Sequence, residues 1–344
     1  MRGAHADERP AALVTGAAGF IGSHVVRALL EDGRVRVVAL DDLSGGFRAN
    51  LPEGVAFVQA SVTDPAALAR LFDEHRFQYV FHLAAYAAEG LSHFIRRFNY
   101  TNNVIGSVNL INESVRHHAK AFVFTSSIAV YGPIEPPMRE DQVPHPEDPY
   151  GVAKLAVELD LAAARRMFGL PFIVFRPHNV YGEYQNLWDP YRNVIGIFMN
   201  QIRRGQPMTV FGDGTQRRAF TYVGDVAPHI AASPWTPGAL DQVINVGARV
   251  PCTVNDLARA VACVMGVPDH PVAYLDARQE VHQAYSDHSR ADAIFGVQEP
   301  TPLEEGLRRM AAWARKVEDR TVGVFDNLEL EQGLPPAWRA RLGR

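Results

Sequence analysis

The feature that most constrains the fold is a regular alternation of short apolar runs and helical patterns. Apolar runs of strand length lie at 12–15, 35–40, 55–59, 79–84, 121–125 and 172–176. Patterns with helical spacing lie between them, at 21–30, 66–72, 101–117 and 151–168. Near-continuous apolar strands separated by helices indicate an α/β fold with a doubly wound parallel sheet that is covered on both faces. Ligands of such sheets bind beyond the carboxyl ends of the strands.

The character of the sequence changes after Arg176. Residues 177–220 are rich in Pro, Gly, Tyr, Asn and Arg, with one helical stretch at 194–203, and residues 251–317 are mostly helical with a short strand near 271–275. A further apolar strand at 242–246 is expected to return to the main sheet. We therefore expect a sheet domain over 1–176 together with that strand, and a smaller, mostly helical domain over 177–320, interleaved with the first. The scattered apolar residues of the C-terminal tail, 321–344, predict that it packs against the rest.

Composition argues against several classes of protein. The 344 residues carry a net charge of −4, which provides no basic field for nucleic acid or an anionic membrane. No apolar run approaches the about 20 residues of a membrane span, and the polar N-terminus lacks the apolar segment of a signal peptide. We therefore expect a cytoplasmic protein. Cys252 and Cys263 match no metal motif, and none of the 13 histidines has metal-ligand spacing, so we expect no metal.

A glycine-rich loop joins the first strand to the first helix. It reads GAAGFIG over residues 16–22. Glycines at these positions permit a tight turn and let backbone N–H groups approach a pyrophosphate at the helix N-terminus. The second strand ends in Asp41 and Asp42, where this Rossmann-type fingerprint places the acid that binds the adenosine ribose. A carboxylate there repels a 2′-phosphate and the nearest basic residue is Arg48, so the pattern favours NAD over NADP.

A serine-rich strand end and a Tyr-x-x-x-Lys pair indicate the chemistry. Asp148 and Pro149 are a good N-cap and a good first residue for a helix, on which Tyr150 and Lys154 lie on one face. A phenol with a pKa of about 10 is a poor base at neutral pH. A neighbouring ammonium and the positive end of the helix dipole both favour the phenolate. We predict that Tyr150 is the base that accepts a hydroxyl proton, while Ser127 holds the substrate oxygen in line.

Together these motifs resemble the extended short-chain dehydrogenases/reductases of the NAD-dependent nucleotide-sugar epimerase/dehydratase family, with the layout of the sugar 4-epimerases. The resemblance covers roughly residues 11–315 and rests on GAAGFIG, FHLAAY, NYTNNVIGSVNLI, FTSSIAVYG, DPYGVAKLAVE, FRPHNVYG and FGDGTQRRAFTYVGDV. It implies that Ser127, Tyr150 and Lys154 are the catalytic residues. It also implies an NAD site formed by Gly16, Ala18, Gly19, Phe20, Ile21, Gly22, Asp41, Asp42, Ser61, Val62, Leu83, Ala84, Ala85, Tyr86, Asn103, Thr125, Tyr150, Lys154 and Pro177.

One position departs from the family pattern. Members of the family usually have an aspartate after the third strand that binds the adenine amino group, and the matching residue here is Ser61. A serine can still accept a hydrogen bond, so we expect weaker adenine binding. Asp64 is expected instead to cap the next helix.

The resemblance further implies a nucleotide diphosphate sugar as substrate, bound by Glu89, Ser127, Asn179, Asn193, Val194, Val210, Phe211, Arg218, Arg278 and Tyr285. The two arginines would neutralise the diphosphate, although a single arginine in a sequence is more often a solvated surface residue. Bulk at Tyr285 would restrict the sugar. Glu89 either binds a sugar hydroxyl or is a solvated loop acid, and residues 183–191 form either a substrate lid or ordinary surface packing.

The residues after Ser127 discriminate between members of the family. The dehydratases carry an acidic pair there for proton transfer, whereas this chain has Ile128 and Ala129. Chemistry that needs only hydride transfer remains, and 4-epimerisation with recycled NAD is the leading hypothesis. The alternatives are epimerisation at another carbon or on an NDP-heptose, a related dehydratase or reductase, and a non-catalytic NAD-binding regulator. Apolar stripes on helices 101–117 and 151–168 are typical of the family's homodimers, with intramolecular burial as the alternative.

Overall fold

The computed structural model describes residues 8–277, 283–320, 328–335 and 338–339. Its strands are β1 Ala11–Thr15, β2 Arg36–Asp41, β3 Ala56–Gln59, β4 Tyr79–His82, β5 Ala121–Thr125, β6 Phe172–Pro177, β7 Val180–Tyr181, β8 Met208–Phe211, β9 Arg217–Arg218, β10 Thr221–Tyr222, β11 Gln242–Val246, β12 Cys252–Thr253, β13 Val272–Leu275 and β14 Gln283–Ala284. Its helices are α1 Phe20–Asp32, α2 Pro65–His75, α3 Glu89–Ser92, α4 Arg96–Tyr100, α5 Gly106–Arg116, α6 Pro149–Phe168, α7 Val194–Arg203, α8 Ala227–Ala232, α9 Val254–Met265, α10 Ser289–Phe295 and α11 Leu303–Ala314.

Seven parallel strands form the main sheet, in the order β3-β2-β1-β4-β5-β6-β11. The predicted α/β fold and the returning strand at 242–246 are therefore confirmed. Apolar side chains on the two faces of the sheet belong to two separate buried clusters, one on each side. The strand order reverses between β1 and β4, and the crevice at such a reversal is where ligands of this architecture bind.

Helix ends with local signals fall where the sequence predicts them. The carboxylate of Asp148 accepts a hydrogen bond from the N–H of Gly151 at 2.9 Å, and Pro149 is the first residue of α6. Asp64 caps α2 in the same way, with the N–H of Ala67 as donor at 3.0 Å. Both caps satisfy helix N–H groups that have no partner within the helix.

The helix predicted over 101–117 is longer and less regular than expected. It begins with α4, continues through a π-helical turn, Thr101–Ile105, and ends with α5. The early start has a tertiary cause: the carboxylate of Glu329 accepts hydrogen bonds from the first-turn N–H groups of Arg97 and Phe98, at 2.7 and 2.8 Å. A cap from a residue more than 200 positions away leaves no local signal.

The smaller part of the fold surrounds the carboxyl ends of β4, β5 and β6. Its short strands pair as β10 with β7, β13 with β8, and β12-β9-β14. The predicted packing of the C-terminal tail is confirmed in its described part, where Leu334 and Trp338 are buried against α3. Among the residues that the structure describes, no helix is long and apolar enough to cross a membrane.

Candidate active site

A cavity of about 560 Å³ lies at the strand-order reversal, beyond the carboxyl ends of the central strands. Most of the residues that the resemblance assigns to cofactor and substrate line this cavity. They are Gly16, Gly19, Phe20, Ile21, Gly22, Asp41, Asp42, Val62, Leu83, Ala84, Ala85, Tyr86, Glu89, Thr125, Ser127, Tyr150, Lys154, Pro177, Asn179, Asn193, Val194, Val210, Phe211 and Arg218. Residues from both parts of the fold thus meet at one site.

The glycine loop is shaped by close backbone approaches. Gly16 has φ +66°, and a Cβ built on it would lie 2.6 Å from the amide nitrogen of Ala84. A Cβ on Gly22 would lie 2.0 Å from the carbonyl oxygen of Gly16. Side chains at these two positions would collide with backbone atoms, so only glycine fits. Gly19, the N-cap of α1, supplies no side-chain cap, which suits a helix terminus that receives an anion.

The carboxylate of Asp41 joins the end of β2 to the glycine loop. Its two oxygens accept hydrogen bonds from the N–H groups of Ala18 and Leu43, at 3.0 and 2.8 Å. Burial raises the pKa of Asp41, while these hydrogen bonds oppose the rise. Each carboxylate oxygen keeps a further lone pair, so Asp41 can still accept from a ribose hydroxyl. The neighbouring Asp42 is exposed and accepts from the Ser44 hydroxyl at 2.6 Å.

Three residues assigned to the cofactor stand just behind the cavity wall. Ala18 binds Asp41 through its backbone, as described above. Ser61 forms a hydrogen bond with the hydroxyl of Thr63 at 2.9 Å, and its neighbours Ala60 and Val62 line the cavity instead. Asn103 accepts from the N–H of Tyr86 at 2.8 Å and donates to the same residue's carbonyl. Asn103 therefore holds in place a residue that does line the cavity.

The predicted catalytic residues converge at the ends of β5 and α6. Ser127 and Tyr150 both line the cavity, and the Ser127 hydroxyl lowers the pKa of the Tyr150 phenol. The Nζ of Lys154 donates to the carbonyl of Thr125 at 2.8 Å and lies 5.7 Å from the centre of the Tyr150 ring. All three side chains face the cavity. The arrangement places a phenol, a hydroxyl and an amine around one point where a substrate hydroxyl can lie.

Burial dominates the electrostatics of this group. It lowers the pKa of Lys154 to about 7, although the charge of Glu158 opposes the shift. It raises the pKa of Tyr150 well above the usual value, although the nearby Ser127 hydroxyl opposes this. Neighbouring positive charge still favours the phenolate, but the net shift is upward because desolvation penalises the phenolate more than its neighbours stabilise it.

The substrate end combines helix and strand termini. Asn193 caps α7 by accepting from the N–H of Ile195 at 3.0 Å, as predicted for a residue that opens this helix. Asn179 has φ +42° and donates to the carbonyl of Ala219 at 3.3 Å. Tyr285 is not among the residues that line the cavity, and its carbonyl accepts from the N–H of Met138. Arg278 lies outside the described residues.

The fold and site agree with the comparisons to known proteins. A model of the NAD dependent epimerase/dehydratase family matches residues 12–247. The chain belongs to this family. UDP-glucose 4-epimerase from Mycolicibacterium smegmatis is 35% identical, over 88% of this chain and 98% of that protein.

Two solved members of the family have nearly the same architecture. UDP-glucose 4-epimerase from Thermotoga maritima, solved with UDP-glucose, is 35% identical with a TM-score of 0.84, over 89% of this chain and 99% of the other. The Thermus thermophilus enzyme in complex with NAD is 30% identical with a TM-score of 0.83, over the same shares. Dehydratases of the family also match. The chain is an enzyme of the NAD dependent epimerase/dehydratase family, and the prediction of NAD as its cofactor is confirmed.

Sequence reasoning missed a buried ion pair close to the predicted catalytic residues Ser127 and Tyr150. Arg176 at the end of β6 donates to Glu158 through Nε at 3.0 Å and through Nη2 at 2.5 Å. The hydroxyl of Ser126, next to Ser127, also donates to Glu158. Glu158 lies one helical turn beyond Lys154, so the i, i+4 spacing that identified Tyr150 and Lys154 could also have identified it.

Sequence reasoning also missed Arg192, which lines the cavity. Its guanidinium donates to Asp189 at 2.8 Å and lies 5.5 Å from the ring centre of Tyr86. The open assignment of residues 183–191 is clarified by Trp188, which is buried and packs edge-on against Phe47. The segment also lines the cavity, through Tyr184, Gln185, Asn186 and Tyr191, so it combines packing with a place at the site.

Proposed function

We propose that this enzyme is an NAD-dependent nucleotide-sugar 4-epimerase that inverts C4 of an NDP-sugar through a transient 4-keto sugar. The observation that carries the proposal is the convergence of Ser127, Tyr150 and Lys154 on the same cavity that the glycine loop lines. Ile128 and Ala129, which follow the serine, have no acid–base groups. Relatives named UDP-glucose 4-epimerase at 30–35% identity support the same reaction.

The site has separate places for cofactor and sugar nucleotide. The first turn of α1 and the glycine loop would hold the pyrophosphate of NAD, and Asp41 its adenosine ribose. Bound NAD supplies a hydride acceptor and donor for the sugar carbon. Asn179 and Arg218 would bind the diphosphate of the substrate, while Val210 and Phe211 on β8 would contact its base.

The chain's own residues would move one proton in each direction. Ser127 orients the sugar hydroxyl, and the Oη of Tyr150 accepts its proton and later returns it. Because burial raises the pKa of Tyr150, the base form needs positive charge nearby. The protonated form of Lys154, whose Nζ lies 5.7 Å from the ring centre, would supply it. Taking up and returning the proton at the same oxygen suits a reaction with no net redox change.

A related NDP-sugar dehydratase is the second candidate, because Glu89 lines the cavity and its charge acts on Tyr150. A carboxylate in that position could serve as an additional acid or base. Dehydration also requires elimination at C6, so the two candidates differ in their products.

The decisive experiment is a panel of UDP-, GDP-, ADP- and CDP-sugars incubated with the NAD-loaded enzyme and no added reductant, with products identified by NMR. Inversion at C4 with no net NADH supports 4-epimerisation. A 4-keto-6-deoxy product would refute it in favour of dehydration. Inversion at another ring carbon would retain the family chemistry but overturn the assignment to C4.

We further propose that the enzyme is a homodimer. Apolar side chains are exposed on the π-helical turn and on α6, where Ile105 and Leu159 are 52% and 63% exposed and Val152 is also exposed. A second copy would cover them. Sedimentation of the wild type at twice the monomer mass, and of Leu159→Arg as a monomer, would support the dimer. A monomeric wild type would refute it.

A further inference from the structure

The C-terminal segment, described over 328–335 and 338–339, is anchored to the unit formed by α3 and α4. The N–H groups of Glu329 and Leu330 both donate to the carbonyl of Phe94, at 2.8 and 3.2 Å. The Glu329 carboxylate binds the first turn of α4. These contacts are backbone-directed and in part charge-assisted, so they specify where the segment lies.

Trp338 extends from this segment to the wall of the active-site cavity. Its side chain is 6% exposed. Its ring meets that of Tyr191 edge-on, with 5.0 Å between ring centres, and that of Phe94 at 6.1 Å. A Cβ built on Gly90 would lie 3.3 Å from the indole Cη2, so the indole also packs closely on the backbone of α3.

Gly90 and Tyr191 belong to different parts of the chain, and both line the cavity. Gly90 follows Glu89, and Tyr191 precedes Arg192. These two charged residues also line the cavity, and both act electrostatically on Tyr150. The indole therefore lies between the two pieces of chain that carry Glu89 and Arg192 into the cavity.

We propose that Trp338 is a positioning residue for the sugar end of the active site, where its indole sets the spacing between α3 and Tyr191 and so the placement of Glu89 and Arg192 around the substrate. This role rests on the proposed function of the same cavity. The glycine loop and Asp41 lie on other elements, so we expect the main effect of Trp338 on the binding of the nucleotide sugar. Residues that pack tightly behind a site fix its geometry within fractions of an ångström.

The test compares Trp338→Ala, Trp338→Phe and Leu330→Ala. Leu330 belongs to the same segment and is exposed, so Leu330→Ala is the matched control. For Trp338→Ala we expect a KM for the nucleotide sugar that is about tenfold higher, with kcat changed less than about threefold, since ground-state and transition-state contacts are lost together. The Kd for NAD should stay at the wild-type value. Trp338→Phe should restore most of the KM, and Leu330→Ala should match the wild type.

Two kinetic results would overturn the proposal. One is an unchanged KM in folded Trp338→Ala. The other is a parallel loss of NAD affinity, kcat and thermal stability, which would indicate a general structural role. Hydrogen exchange gives a readout that does not depend on turnover. Trp338→Ala should accelerate hydrogen exchange at 88–98 and at 186–193 together. A wild-type exchange rate in either segment would refute the positioning role of Trp338. If the wild type converts no nucleotide sugar, the proposed function fails, and exchange still decides the role of Trp338.

Discussion

Neutralising Glu158 is expected to destabilise the protein far more than breaking an ion pair on its surface. Arg176 is only 4% exposed, and Glu158 is its charged partner. Burial alone would lower the pKa of Arg176, yet its hydrogen bonds and attraction to Glu158 raise it above the usual value. The guanidinium is charged, and Glu158 compensates for the hydration that Arg176 loses on burial. Glu158→Gln keeps the shape of the side chain and removes that charge.

Removing one partner of a buried pair typically costs about 3–5 kcal/mol, because a desolvated charge is left behind. Divided by about 1.4 kcal/mol for each tenfold change, this is roughly two to four orders of magnitude in the folding equilibrium. Urea unfolding followed by tryptophan fluorescence measures the loss, with an unchanged m-value showing that the compactness of both states is preserved.

The matched control is Arg139→Gln, which breaks the pair between Arg139 and Asp141. Both side chains of that pair are exposed, and no measurable loss is expected. The double variant Glu158→Gln with Arg176→Met should be less destabilised than the sum of the two single variants, since neither charge is then left alone. A Glu158→Gln loss no larger than that of the control, or strict additivity in the double variant, would refute the reasoning.

Three further predictions concern the site and its surroundings. Tyr150→Phe should lower kcat by about 10²–10⁴-fold with NAD binding retained, and near-normal turnover would exclude it as the base. Asp41→Ala should weaken NAD binding by roughly 10- to 100-fold, the range for hydrogen bonds to a charged group. Asp42→Ala, at an exposed side chain, should have the smaller effect. A larger effect of Asp42→Ala would mean that Asp42, and not Asp41, binds the ribose. Burial lowers the pKa of His178 to about 4. Below pH 6.5 the imidazole therefore takes up a proton more readily in the unfolded chain than in the folded one. The free energy of unfolding should fall by about 2 kcal/mol between pH 7 and 5 for this reason. In urea unfolding, a His178→Gln variant with the same pH dependence as the wild type would contradict this origin.

The sequence by itself determined the features that depend on neighbours along the chain. Alternating apolar runs and helical patterns specified the parallel sheet. A strand that is buried on both faces is apolar along its whole length, so its own composition identifies it. The caps at Asp64 and Asp148 act over three residues. The glycine loop and the pair of Tyr150 and Lys154 are likewise local spacings whose chemical meaning can be read directly.

Tertiary structure alone decided the features that depend on contacts between distant segments. Glu329 sets the start of α4 across more than 200 residues, and Arg176 reaches Glu158 from another element. Helix spacing correctly placed Tyr150 beside Lys154, but the pKa of both depends on how completely the fold removes them from water, a quantity that no local pattern contains. For the same reason Trp338, read in the sequence only as part of a tail that packs, lies between two walls of the active site.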